Sequence, residues 1–242
     1  MTLRGIPVDE GWVVLLGAVS DGGIATIRTA LDAMEGGPSR LKSLPAAAYG
    51  VLALPSVQEC LRAAGAGDSV LVRAVSFDKS GGHNWFVPWH QDTVVPLAER
   101  PADEPEGWTH WTEKDGIPHA RAPVEWLERM VTVRVALDDA DESNGALEFV
   151  PGSHRLGVLE ANEAGRVGRE GPTHLCTMAK GDVLLMRPLL VHRSGKVRPG
   201  GESEERPPRR RGVLHLELGA PGLPAPLRWP TVAGAMPTSI DE

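Results

Sequence analysis

From Met130 to Leu137, Val131, Val133, Val135 and Leu137 fall on one side of the chain and Thr132, Arg134 and Ala136 on the other. A period of two over that length specifies a strand, because side chains of extended backbone point alternately to opposite faces. It excludes a helix there. Gly212–Leu218 alternates in the same way through Leu214, Leu216 and Leu218. Trp12–Val19, Val70–Phe77, Trp85–Thr93, Ala146–Val150, Leu175–Ala179 and Val183–Met186 are further runs that turn residues close off, and they read as strands. Two helices are expected ahead of most of them. Asp21–Met34 carries Ile24, Ile27, Ala30, Leu31 and Met34 at helical spacing behind a Ser20 cap. The other runs from about Ser56 to Ala64, with Ser56 and Glu59 at the spacing of a capping box. Short strands with turns between them, flanked by N-terminal helices, predict a mainly β chain folded as a sandwich or jelly roll.

The chain has 242 residues, enough for one large β-domain, and residues 1–242 are expected to form one. Three stretches lack a period. Residues 94–124 hold five prolines and two tryptophans, which predicts an ordered lid or specificity loop. Residues 155–174 are polar and Gly-rich, an expected loop, and residues 198–208 look like a charged surface insertion. The net charge of -7 argues against nucleic acid as a partner. Two cysteines without a CxxC exclude a disulfide scaffold and a thiolate zinc site, and they fit a reducing cytoplasmic setting. The run Trp12–Val19 is too short to span a bilayer. The sequence does not define an oligomeric state.

The chemistry concentrates in Pro88-Trp89-His90-Gln91-Asp92. On a strand, His90 and Asp92 point the same way and can clamp one face of a divalent metal. His192 is the best third ligand, and a jelly roll can bring it there from far along the chain. Two imidazoles and one carboxylate on one face, with the other positions open, suit non-haem Fe(II).

Several stretches together resemble the phytanoyl-CoA dioxygenase family of Fe(II)/2-oxoglutarate oxygenases. They are Gly11–Gly17, Trp89–Thr93, Asp138–His154, Gly181–Ser194 and Arg211–Leu218. The resemblance implies a double-stranded β-helix core, iron held by His90, Asp92 and His192, and 2-oxoglutarate and O2 as cosubstrates. It implies hydroxylation, or a related oxidation, of a small organic molecule with release of succinate and CO2. Relatives that halogenate lack the carboxylate that Asp92 supplies. The cosubstrate's distal carboxylate would pair with an arginine fork on the last core strand. Aligning the alternation of Leu214, Leu216 and Leu218 with the family's strand implies Arg211 in that place, with Arg209, of the same parity, as runner-up and Arg210 pointing the other way. The gap between His192 and Arg211 is longer than the family's. Gln91 and Ser194 match positions that contact the cosubstrate, and Arg134, with Thr132 on its face, is grouped with them. Trp85, Trp89, Trp108, Trp111 and His215 are candidates for the substrate wall. Two other functions share these motifs: a cupin-like metalloenzyme that works without 2-oxoglutarate, and a non-catalytic ligand-binding jelly roll.

Overall fold

A computed structural model describes residues 10–34, 40–80, 83–198 and 210–234. Its framework is two antiparallel sheets. The first has five strands in the order β1 (Trp12–Leu15), β10 (Val183–Met186), β7 (Val131–Ala136), β12 (Arg211–Gly219), β2 (Val70–Lys79). The second has four, in the order β3 (Val87–His90), β11 (His192–Ser194), β8 (Leu147–Phe149), β9 (His174–Cys176). The expected jelly roll is therefore the fold, with helices flanking it.

The two faces of the five-stranded sheet differ. One face carries Val131, Val133 and Val135 of β7 with Leu214, Leu216 and Leu218 of β12. It packs under α1 (Asp21–Asp32), α2 (Ala46–Tyr49) and α3 (Pro55–Ala63), through Ile24, Ile27, Val57 and Leu61. Burying one such side chain stabilises the fold by about 1.5–3 kcal/mol, so this layer anchors the sheet. The other face looks toward the four-stranded sheet. There the alternation sets Arg134 and His215 inside, and a second apolar cluster, with Phe149, Leu184 and Met186, closes one end.

Local chemistry sets most boundaries. Ser20 caps α1 as expected, its Oγ accepting from the Gly23 amide at 3.2 Å. The capping box expected at Ser56 does not form. α3 starts one residue earlier, at Pro55, whose fixed φ suits the first helical position. β1 stops at Leu15 because Gly17 turns the chain at φ +58, and Leu16 is exposed.

Two expected loops are regular structure. Residues 94–124 hold a third sheet, β4 (Val94–Pro96), β6 (Ile117–Arg121), β5 (Thr109–Lys114), and then α4 (Val124–Leu127). Asp115 and Gly116 make the β5–β6 turn, both at positive φ. That is the two-residue hairpin loop whose twist matches its strands. Residues 155–174 contain α5 (Ala161–Glu170), capped by Glu160 and Glu163. Gly168 lets α5 lie on β3, since a Cβ there would come within 2.2 Å of the Trp89 ring. The insertion proposed at 198–208 lies outside the described residues apart from Arg198. Among the described residues no helix is long and apolar enough to cross a membrane.

Candidate metal centre and cosubstrate pocket

His90 ends β3 and His192 begins β11, and the two are direct register partners across that pairing. Asp92 lies just beyond β3, its amide bonded to the Pro188 carbonyl at 2.9 Å. The ligand atoms of His90, Asp92 and His192 all lie within 4.8 Å of one another. Each histidine Nε2 is 3.6 Å from an Asp92 oxygen.

The imidazoles are oriented by backbone. His192 Nδ1 donates to the Leu190 carbonyl at 2.7 Å. His90 Nδ1 faces the carbonyls of Pro88 at 2.8 Å and His192 at 3.1 Å. Both protons are thereby fixed on Nδ1, and both Nε2 lone pairs turn toward Asp92, as metal-binding histidines require. Burial, then His90, pushes His192 down to about 3, so it is neutral. Burial would raise the Asp92 carboxyl, but His192 and His90 outweigh it and hold it well below the usual range. Burial would lower His90, but Asp92 and then the Pro88 and His192 carbonyls outweigh it and raise it. Two imidazoles with an ionised carboxylate are the donor set that a ferrous ion takes, the metal displacing any Nε2 proton.

The triad opens into a cavity of about 390 Å³. Arg211 lines its inner part and is almost wholly buried. Opposite it on β2 stands Lys79, fully buried, two residues beyond the end of the expected strand Val70–Phe77. Lys79 Nζ donates to Ser194 Oγ at 2.8 Å and to the Gly195 carbonyl at 2.6 Å. Burial, then Arg211 and Arg134, lowers this ammonium to about 7. Arg211 Nε is buried without a partner. Two cations and a hydroxyl thus converge on a space with no acidic side chain bonded to them among the described residues, which suits a carboxylate.

Arg134 and His215 line the same cavity. Arg134 Nη1 donates to His215 Nδ1 at 3.0 Å, so the other ring nitrogen, Nε2, donates to Glu217 Oε1, also at 3.0 Å. Arg73 Nη2 donates to that same oxygen. Glu217 and Arg73 went unmarked in the sequence, although Glu217 shares the strand parity of Arg211 and His215.

Other expected residues lie elsewhere. Gln91 does not face the cavity: its amide donates to the carbonyls of Leu189 and Gly157 and accepts from the Leu159 amide. The alternation that brings His90 and Asp92 together sends the residue between them the other way. Trp89 packs on α5 with Arg193 against its ring. Trp108 is core, and Trp111 packs on the same cluster under Arg100. Thr132 is buried, with an unpartnered hydroxyl, but is not part of the cavity wall. Trp85 does line the cavity, 6.4 Å from Phe77. Arg210 pairs with Asp78 outside, as its parity requires. Arg209 lies outside the described residues.

Solved structures agree on the fold. HygX from Streptomyces hygroscopicus, with nickel, 2-oxoglutarate and hygromycin B bound, is similar at TM-score 0.53 and 20% identity, over 94% of this chain and 93% of that one. AviO1 from Streptomyces viridochromogenes Tue57 gives 0.55 and 19%, over 90% and 93%. EctD from S. alaskensis, in its apoform, gives 0.59 and 18%, over 88% and 74%. No curated protein sequence matches the chain. Residues 44–202 match the family described as phytanoyl-CoA dioxygenase (PhyH). That span takes in His90, Asp92 and His192 alike, and the chain accordingly belongs to the phytanoyl-CoA dioxygenase family as an Fe(II)- and 2-oxoglutarate-dependent oxygenase.

Proposed function

We propose that the protein hydroxylates a small organic molecule with O2 and 2-oxoglutarate, releasing succinate and CO2. His90, Asp92 and His192 hold the iron, and Arg211 with Lys79 and Ser194 receives the distal carboxylate of the keto acid. The observation that carries this is the pairing of the triad with the Lys79–Arg211 cation pair in one cavity. Bound iron and 2-oxoglutarate supply the oxidising chemistry.

The chain's own residues do the rest. Backbone carbonyls hold both imidazole protons on Nδ1, so Nε2 stays available. Asp92 stays ionised and completes the ligand set. A guanidinium fork receives a carboxylate bidentately, and Lys79 adds a second donor. Arg134 is fixed by His215 beside the triad and lends positive charge there. Trp85 and Phe77 give the cavity an apolar side. The β5–β6 hairpin reaches the mouth through the Asp115–Arg40 pair and is the element expected to set specificity. The hygromycin B in the HygX structure supports a small molecule as substrate.

The test is anaerobic. Fe(II) and 2-oxoglutarate together should give the weak visible charge-transfer band of the metal chelate. Absence of the band, with no measurable affinity for 2-oxoglutarate, would overturn the proposal.

A further inference from the structure

The cavity does not share the acidic character of the chain. The protein carries a net charge of -7. Yet the cavity wall has five cationic side chains, Arg40, Arg73, Lys79, Arg134 and Arg211, against two carboxylates, Asp92 and Glu217. Asp115 holds Arg40 from outside the wall, so with Lys79 protonated the wall keeps an excess of two positive charges, and Lys114 beside Arg40 and Arg73 adds a third. A ferrous ion and a 2-oxoglutarate dianion cancel each other, so on the proposed function the excess remains once both are bound. Unbalanced charge in a partly desolvated space is costly, and a ligand of opposite sign relieves it.

The excess divides between two ends. Arg211 and Lys79 face each other at one end of the β12–β2 pairing, and Glu217 and Arg73 face each other six residues further along. At strand spacing that is about 20 Å. His192 is two residues from Ser194, which Lys79 bonds at the inner end, and Asp92 stands in electrostatic range of Arg73 at the outer one, which puts the triad between the ends. The keto acid accounts for the inner end. Nothing in the proposed function uses the outer one.

The outer end is incompletely satisfied. Arg73 spends Nη2 on Glu217, but its Nε is buried without a partner. Glu217 Oε1 already serves both Arg73 and His215. Arg40 bridges to β2 at Val75, two residues from Arg73, and Asp115 at the hairpin tip holds it. Lys114, next to that tip, is depressed by burial and then by Arg40 and Arg73, so a third cation bears on the same spot. A purely structural ion pair needs neither the orphaned donor nor the gathered cations.

We propose that the substrate is a small organic anion and that Arg73, with Arg40 beside it, receives its carboxylate or phosphate. Glu217 holds the Arg73 fork against the wall. The carbon body of the substrate lies along Phe77 and Trp85 and presents a C–H toward the triad. The cavity volume limits that body to a small molecule.

The test uses the full chain loaded anaerobically with Fe(II) and 2-oxoglutarate, with the chelate band recorded first. A missing band counts against the proposed function and not against this inference. Four probes with one body are then titrated by calorimetry: 3-phenylpropionate, 2-phenylethyl phosphate, 3-phenylpropionamide and 3-phenylpropylamine. The expected result is binding of the acids and not of the amide or amine. Carboxylate against phosphate tells which anion the site takes. R73Q should weaken acid binding about tenfold or more, R73K should restore part of it, and 2-oxoglutarate affinity should stay within about twofold. Equal binding of the amide or amine, no acid binding at millimolar concentration, or an R73Q affinity equal to wild type would overturn the proposal. So would a parallel loss of 2-oxoglutarate affinity in R73Q, because it would make the pair structural.

Discussion

Lys79 and Arg211 face each other as register partners on adjacent strands, both buried and with no carboxylate bonded to either among the described residues. Two like charges directly opposite each other oppose folding. The arrangement is reasonable for a site that binds a dianion, and it has measurable consequences.

The first is a pH dependence. Lys79 sits at about 7 in the fold, lowered by burial, then by Arg211 and Arg134. An unfolded lysine titrates near pH 10.4. Below about pH 7 both states hold the proton, and the fold bears the full cost of the buried charge. From there to about pH 10 only the unfolded chain holds it, so stability rises with pH. Without cosubstrate, wild type should therefore gain stability over that window relative to K79M. Binding of 2-oxoglutarate has the opposite trend, since the dianion favours the ammonium: affinity should fall above about pH 7. K79M should bind about tenfold more weakly and without that trend. Identical pH curves for the two proteins would refute the account.

Arg211 and Arg210 make a neighbouring pair of tests. Arg211→Ala removes a buried guanidinium from the cosubstrate's end of the cavity and should cost 2-oxoglutarate binding about 2–5 kcal/mol. Arg210→Ala removes a surface partner of Asp78 and should change affinity by less than about twofold. Titration of the chelate band measures both.

Metal should stabilise the protein through the triad. A divalent ion at a hundred times its dissociation constant adds about 2.7 kcal/mol. Mn(II), which is stable in air, should raise the melting temperature of wild type. The increment should vanish in His192→Ala and Asp92→Ala, whatever their metal-free midpoints. An undiminished increment in both variants would place the ion elsewhere.

Gly145 joins the long turn after β7 to the cosubstrate site. It has φ +77, and a Cβ there would lie 2.3 Å from the Gly195 carbonyl oxygen, which accepts from Lys79. Gly145→Ala should destabilise by about 1–3 kcal/mol and weaken 2-oxoglutarate binding as that carbonyl shifts. Gly116→Ala is the comparison: φ is +76 with nothing within 4 Å. It should cost only about 1 kcal/mol and leave affinity alone. Chemical denaturation and the band titration separate the two effects.

The framework was legible where one face of a strand is buried. Alternation located β7 and β12, and on β12 it put Arg211 and His215 on one side and Arg210 on the other. It failed where strands are exposed: β5 is mostly open to solvent and has no apolar rhythm. The Asp115-Gly116 pair was the available signal for that hairpin, and it went unused among the prolines. α5 was hidden by Gly165 and Gly168, which depress helix propensity. Gly168 is there because the Trp89 ring leaves no room for a side chain. Lys79 was missed because β2 runs two residues past Phe77, and only the pairing with β12 extends it that far. Arg73 and Glu217 were missed for a related reason. Their parity is visible in the sequence, but which face of a strand looks into a cavity is a property of the assembled sheets.

β12 fills an inner position of its sheet, between β7 and β2, both of which precede it in the chain. Until a ribosome has delivered residue 219, those two strands each present an open edge across an empty slot. Such edges invite pairing with other chains. From residue 136, where β7 ends, to residue 219 the growing polypeptide therefore carries that slot unfilled, and the strand bearing Arg211, His215 and Glu217 closes it.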